Sequence, residues 1–215
     1  MVESNLTEAM RSELARLALL PDEEIDTSDA PEVEDWSDAR RAAFYDGEIS
    51  KRDYDIRAIA NWVLNRLGKI GHSASNLSLN KILYFAVERA LVERAVLLTP
   101  ARIEAWDHGP VFREVYQEFS RNDNKTITQR IEKFSIRERK MIEASEEFLP
   151  EDIELLEYVV NQYGHLSGSK LREISHTPNG PWHTVWNYRG KTNPGMEISA
   201  TTILRRAPQR RDLDG

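Results

Sequence analysis

LSLNKILYFAVERAL, Leu77 to Leu91, and ARIEAWDHGPVFREVYQEF, Ala101 to Phe119, together decide the fold. In the first segment Leu79, Ile82, Leu83, Ala86 and Ala90 share one face at helical spacing. Tyr84, Phe85 and Leu91 add apolar surface off that face, which predicts a helix buried on most sides. In the second, Ile103-Glu104-Ala105-Trp106 alternates like a half-buried strand. Asp107-His108-Gly109-Pro110 then reads as a turn with Pro110 at the first position of a new helix, where its missing N–H does no harm. That helix would carry Val111, Val115 and Phe119 on one face, with Phe112 and Tyr116 beside it.

Working outward, the spacing predicts a helix over Asp53–Leu67, with Ile56, Ile59, Ala60, Val63 and Leu67 facing inward. Gly68 and Gly71 would end it, and Ser75 or Asn76 would cap the central helix. Downstream, Thr126–Phe134 reads as a short strand pairing with Arg102–Trp106. Ser135-x-x-Glu138 reads as a capping box opening a helix to about Glu147. Pro150 opens a stronger helix, PEDIELLEYVVNQY, with Gly164 as a left-handed terminator. Ser167 caps GSKLREISH, HTPNGPWHTVWNYRGK is expected to be a loop, and Ser199 starts a closing helix to Arg206. The expected class is mostly α, a compact helical domain with a small β element of two or three strands.

The charge is unevenly spread. Of a net −7, Met1–Ser50 carries 14 acidic and 4 basic residues, leaving Lys51–Gly215 at +3. The chain accordingly reads as three parts: an acidic N-terminal arm over residues 1–50, a helical domain over 51–206, and a frayed tail over 207–215. Within the arm, Thr7–Leu20 reads as a short amphipathic helix, too short to hold without a surface to pack on. Residues 21–46 read as extended, because Pro21–Asp38 holds nine acids and no base and cannot build a core. A solvated linker is the plain reading of such a run. Yet Ile25, Val33, Trp36, Phe44 and Tyr45 are spaced through it as in a peptide that folds on binding.

The absence of cysteine excludes a disulfide framework and thiolate metal sites, as in a reducing cytoplasm. No apolar run is long enough for a membrane span, and the N-terminus lacks the pattern of a signal peptide. A cytoplasmic protein with no membrane association is expected. An acidic arm is a poor nucleic-acid ligand, since phosphate binding needs cations. Lys170, Arg172, Arg189, Lys191, Arg205, Arg206, Arg210 and Arg211 make the C-terminal half mildly basic, which leaves DNA binding open without a recognisable motif.

Asp107, His108 and His176 could form an acid–base or metal group, the chemistry of a hydrolase. The spacing matches no ligand signature, so these residues read as structural: Asp107 caps the helix at Pro110, His176 bonds to backbone, and Trp106 and Trp182 join two halves of the domain. No cofactor or metal is expected.

LSLNKILYFA, EAWDHGPVFREVYQEF and YGHLSGSKLREISHTPNGPW, in that order, resemble the Panacea domain of SocA-like antitoxins and phage-associated proteins. The resemblance spans roughly residues 53–204, and Leu83, Tyr84, Trp106, Asp107, Gly109, Pro110, Tyr116, His176 and Trp182 are its motif positions. It implies a type II antitoxin, in a phage-defence setting, that binds and silences a cognate protein toxin without catalysis. A proteolytic adaptor handing a toxin to a protease is the alternative it implies, and a homodimer stays open. Leu14 to Tyr45 further resembles toxin-contacting segments of small bacterial antitoxins. That implies Leu17, Leu20, Ile25, Val33, Trp36, Phe44 and Tyr45 as anchors, with Asp26 and Asp29 facing a basic, RNA-directed toxin site.

Overall fold

The computed structural model describes Ser12 and residues 48–122 and 125–207. The chain divides into two units, Met1–Ala39 and Arg40–Gly215, and the second holds the elements of the fold. Every arm residue expected to bind toxin, Leu17 to Tyr45, lies outside the described residues, as does most of the tail.

Ser50–Lys51 (β1) leads into Ile56–Lys69 (α1), which starts three residues later than the expected Asp53, where the Asp55 carboxylate accepts from the Arg57 N–H and caps it. Asn76–Arg94 (α2) is the central helix. Ser75 and Ser78 close a capping box at its start. Ala95, in the left-handed region at φ 52°, ends it and turns the chain into Val96–Leu97 (β2), which pairs in parallel with β1.

Ile103–Trp106 (β3) and Gly109–Phe112 (β4) form an antiparallel hairpin, followed by the short helix Arg113–Glu118 (α3). Glu132–Ser135 (β5) and Lys140–Glu143 (β6) form a second hairpin. Pro150–Tyr163 (α4), Gly168–Ser175 (α5) and Pro181–Trp186 (α6) come next. Met196–Glu197 (β7) pairs with the free side of β3, and Ala200–Arg206 (α7) closes the domain. The fold is mostly helical, with three small sheets among the described residues.

α2 is buried on nearly all sides, packed by α1, α3, α4, α5, α7 and β4. Leu79, Ile82, Leu83, Tyr84, Phe85 and Leu91 are at most 1% exposed. Burying a side chain of that size contributes roughly 1.5–3 kcal/mol, so this helix anchors the domain.

Several expectations change. Pro110 does not open a helix. It lies in β4, an edge strand, where a residue without an N–H is tolerated. Asp107 therefore caps nothing: with His108 it forms the hairpin turn, and the helix begins after Phe112 without a side-chain cap. Residues 126–134 do not pair with β3, whose sides are taken by β4 and β7. β5 pairs instead with β6, its neighbour across a short loop, which costs little chain entropy to close.

Ser135 does accept from the Glu138 N–H at 3.1 Å, but the bond tightens the β5–β6 turn rather than starting a helix. Gly164 is right-handed at φ −66°. Its missing Cβ matters for space, since one there would stand 2.5 Å from Leu67 Cδ2 and from the Val160 carbonyl. The expected loop after His176 contains α6, which Pro181 starts at a helical first turn.

Candidate functional site

The three motif segments meet at the tip of the β3–β4 hairpin. Asn76 and Asn80 sit one turn apart on α2 and tie the helix to β4 and α3. The Asn76 amide donates to the Tyr116 carbonyl at 2.9 Å, and Asn80 donates to Asn76 Oδ1 at 2.9 Å. Asn80 Oδ1 then accepts the Phe112 N–H at 2.9 Å. Both amides are buried and paired on either side, as buried polar groups must be.

Lys81, next along the helix, is 0% exposed and donates its ammonium to the Pro110 carbonyl at 2.8 Å. Burial, and then the nearby Arg172, push its pKa down from 10.5 to about 7. Gly109 arches over this lysine at φ 101°. A Cβ at Gly109 would stand 2.7 Å from Ser175 Oγ, 2.8 Å from Lys81 Cε and 3.1 Å from His176 Nε2. Only glycine combines that backbone angle with that approach.

The closing segment supplies the other wall. The Trp182 indole N–H donates to the Trp106 carbonyl at 2.9 Å. His176 lies flat on Trp182, ring centroids 3.6 Å apart, and Trp186 also stacks on Trp182, at 5.6 Å. Burial, then Arg172 and Lys81, lower the His176 pKa to about 4. Its Nε2 is buried with no hydrogen-bond partner. Stacking and burial, rather than the expected side-chain bond to backbone, hold the ring.

Beneath the hairpin tip opens a cleft of about 310 Å³, lined by Leu77, Lys81, Trp106, Asp107, His108 and Tyr116 among others. Trp106 and Tyr116 pack together at 4.8 Å as its aromatic wall. At the back, Glu104 accepts from the Trp106 indole and the Arg113 guanidinium, both at 2.9 Å. Burial pushes the Glu104 carboxyl up, but these two bonds outweigh it and hold it below the usual range.

A family profile, described as Antitoxin SocA-like, Panacea domain, matches residues 79–183. That span runs from α2 to α6 and contains most of the cleft. Antitoxin SocA of Caulobacter vibrioides (strain NA1000 / CB15N) is 38% identical over 144 residues, 67% of this chain and 76% of that protein. The chain belongs to the SocA-like, Panacea-domain family. No solved structure matches it.

In this Panacea domain the motif residues take distinct places. Leu83 and Tyr84 are core, and the Tyr84 hydroxyl donates to Glu88 at 3.2 Å. Trp106, Gly109, Pro110, Tyr116, His176 and Trp182 build the knot at the hairpin tip. Asp107 and His108 project into solvent and pair with each other at 3.3 Å. Among the described residues His176 Nε2 hydrogen-bonds to neither. Among the described residues no cluster of His, Asp and Glu could hold a metal ion, and no helix is long and apolar enough to cross a membrane.

Of the C-terminal cations, Lys170 pairs with Glu173 at 2.9 Å, and Arg172 reaches the Asp107 carbonyl at 3.5 Å. Sequence reasoning passed over Asn76, Asn80 and Lys81 as functional residues. Their signal was there: three polar side chains in the first turns of a helix whose apolar residues leave that half no solvent face.

Proposed function

We propose that this Panacea-domain protein is an antitoxin that neutralises a cognate protein toxin by direct binding, in the manner of type II systems. The observation that carries the reading is the 38% identity with Antitoxin SocA across 76% of that protein's length. The architecture supports it. The hairpin knot is a platform tied by amide, indole and ammonium bonds. A stable surface of this kind suits recognition better than turnover.

Two parts of the chain would then meet the toxin. The acidic arm, through Leu17, Leu20, Ile25, Val33, Trp36, Phe44 and Tyr45 with Asp26 and Asp29, would cover a basic, RNA-directed cleft. Buried aromatic anchors carry most of such an interface's energy, and the carboxylates steer association. The domain would supply the platform and further contacts.

The test is co-expression of the neighbouring open reading frame with the full-length chain and with a chain starting at Ser50. Growth and co-purification are read together. Direct neutralisation predicts that growth returns and the neighbour's product co-purifies intact. Growth returning only while a protease is active, with the product degraded, would replace masking by delivery to that protease. A harmless neighbour that does not co-purify would overturn the antitoxin reading. Within this test, His108→Ala is expected to neutralise as well as the parent chain, since its imidazole is mostly exposed and its ion pair is with the neighbouring Asp107.

A further inference from the structure

The β5–β6 hairpin is turned inside out. Along its strands Glu132, Phe134, Met141 and Glu143 face solvent, while Lys133, Ser135 and Ile142 face the domain half-buried. Phe134 and Met141 stand directly opposite each other at 61% and 52% exposure, and Ile136 at the turn is 86% exposed. A free ribbon would bury that apolar pair.

This ribbon is held the other way. At its base the buried Asn61 side chain donates to the Ile131 and Ala144 carbonyls at 2.8 and 2.9 Å and accepts the Ile131 N–H at 2.8 Å. Lys133 on the inner face reaches Asp55 at 3.7 Å and Glu146 at 4.0 Å. A one-residue slip would turn Lys133 outward and break all of these.

The outward face has a charge order. Glu132 and Glu143 are cross-strand partners at the base, two like charges side by side. The apolar pair lies in the middle. Arg137 and Arg139 at the tip have no ion-pair partner among the described residues, whereas Lys140 is satisfied by Glu138 at 2.9 Å. Acid, apolar, base along one ribbon is complementary to the same ribbon reversed.

We propose that this face docks a second copy of the chain through a twofold axis, the two ribbons antiparallel. Phe134 and Met141 of each copy cover those of its partner. The arginines at each tip stand over the glutamate pair at the other's base, which relieves the like-charge pairing and closes the assembly at two. Three exposed apolar side chains per copy, Phe134, Ile136 and Met141, make a small patch, which suits a weak, transient interface rather than a permanent one, so the dimer dissociates on dilution. β5 and β6 pair only with each other among the described strands, and the arrangement also shields this two-edged ribbon from open-ended pairing.

Sedimentation velocity of the full-length chain over a concentration series tests this. A monomer–dimer equilibrium is expected, abolished by Phe134→Asp. Two charge-reversed variants make the orientation testable, Glu132→Arg with Glu143→Arg, and Arg137→Glu with Arg139→Glu. Each should be monomeric alone, and an equimolar mixture should form a heterodimer. A parent chain that stays monomeric at every concentration overturns the proposal. So does a mixture that fails to pair, or dimerisation that Phe134→Asp leaves intact. If the variants sediment like the parent but lose co-purification with the toxin, the ribbon is a toxin contact and the dimer is wrong.

Discussion

Lys81 couples the stability of this domain to pH. Its folded-state pKa lies at about 7, against an ordinary 10.5. Between those values the unfolded chain holds a proton that the folded chain has released, so stability rises with pH across that window. Below the window the cost of burying the ammonium is fully present. His176 acts in the same direction lower down, its pKa falling from 6.5 to about 4, so stability is lost as pH drops through that range.

Urea unfolding from pH 4 to pH 10 should therefore show stability climbing in two steps. Lys81→Met should flatten the upper one, while the Pro110 carbonyl's lost donor costs roughly 1 kcal/mol at alkaline pH. An unchanged upper slope would mean that Lys81 is not the group responsible. Gly109→Ala should destabilise by about 2–4 kcal/mol, since backbone strain adds to a clash with Ser175, Lys81 and His176. Thermal unfolding would read that loss directly.

At the scale of elements, the hairpins separate what periodicity reveals from what it hides. α2 is plain in the sequence because only a buried helix makes use of Tyr84, Phe85 and Leu91 beyond its main apolar face. β3 is plain because Ile103 to Trp106 alternates. β4 was hidden by Gly109-Pro110, a pair that serves a helix start and an edge strand equally well. What decides between them is the Pro110 carbonyl's bond to Lys81, a contact from 29 residues away that local spacing cannot carry. Ser135 misled in the same way: the same hydroxyl bond to the third N–H along closes a turn or caps a helix.

The β5–β6 ribbon was illegible for a further reason. Its orientation depends on Asn61, a polar residue on the inner side of α1 that no pattern in residues 126–147 reports. Asn61→Ala removes the side-chain partners of the Ile131 N–H and the Ala144 carbonyl, while the Ile131 carbonyl keeps the Ala144 N–H, at a cost of about 1–3 kcal/mol. Hydrogen exchange should show faster exchange across residues 131–144, with α2 still protected. Protection unchanged across that ribbon would show that Asn61 does not hold it.

For the whole molecule, the division of charge gives the proposed recognition by the arm a kinetic test. Met1–Ser50 holds 14 acidic residues against 4 basic, while the rest of the chain is slightly basic. If the arm meets a basic toxin cleft, the association rate should fall steeply as salt rises. A chain starting at Ser50 should associate more slowly at low salt and show a much flatter dependence. Stopped-flow mixing with the purified toxin would distinguish the two, and equal salt slopes would remove the arm from the encounter. The domain motifs were legible across most of residues 79–183 because they are sequence-local and ordered. The chemistry of a toxin was not, because the proposed contacts would lie on exposed side chains that the fold does not dictate.

Direct neutralisation is tested most closely by titrating purified full-length chain into the purified toxin's own activity assay with no protease present. The account predicts that toxin activity falls to nothing at a fixed stoichiometric ratio and that intact toxin is recovered from the complex. Activity that persists at excess antitoxin, and disappears only when a protease is added, would contradict it.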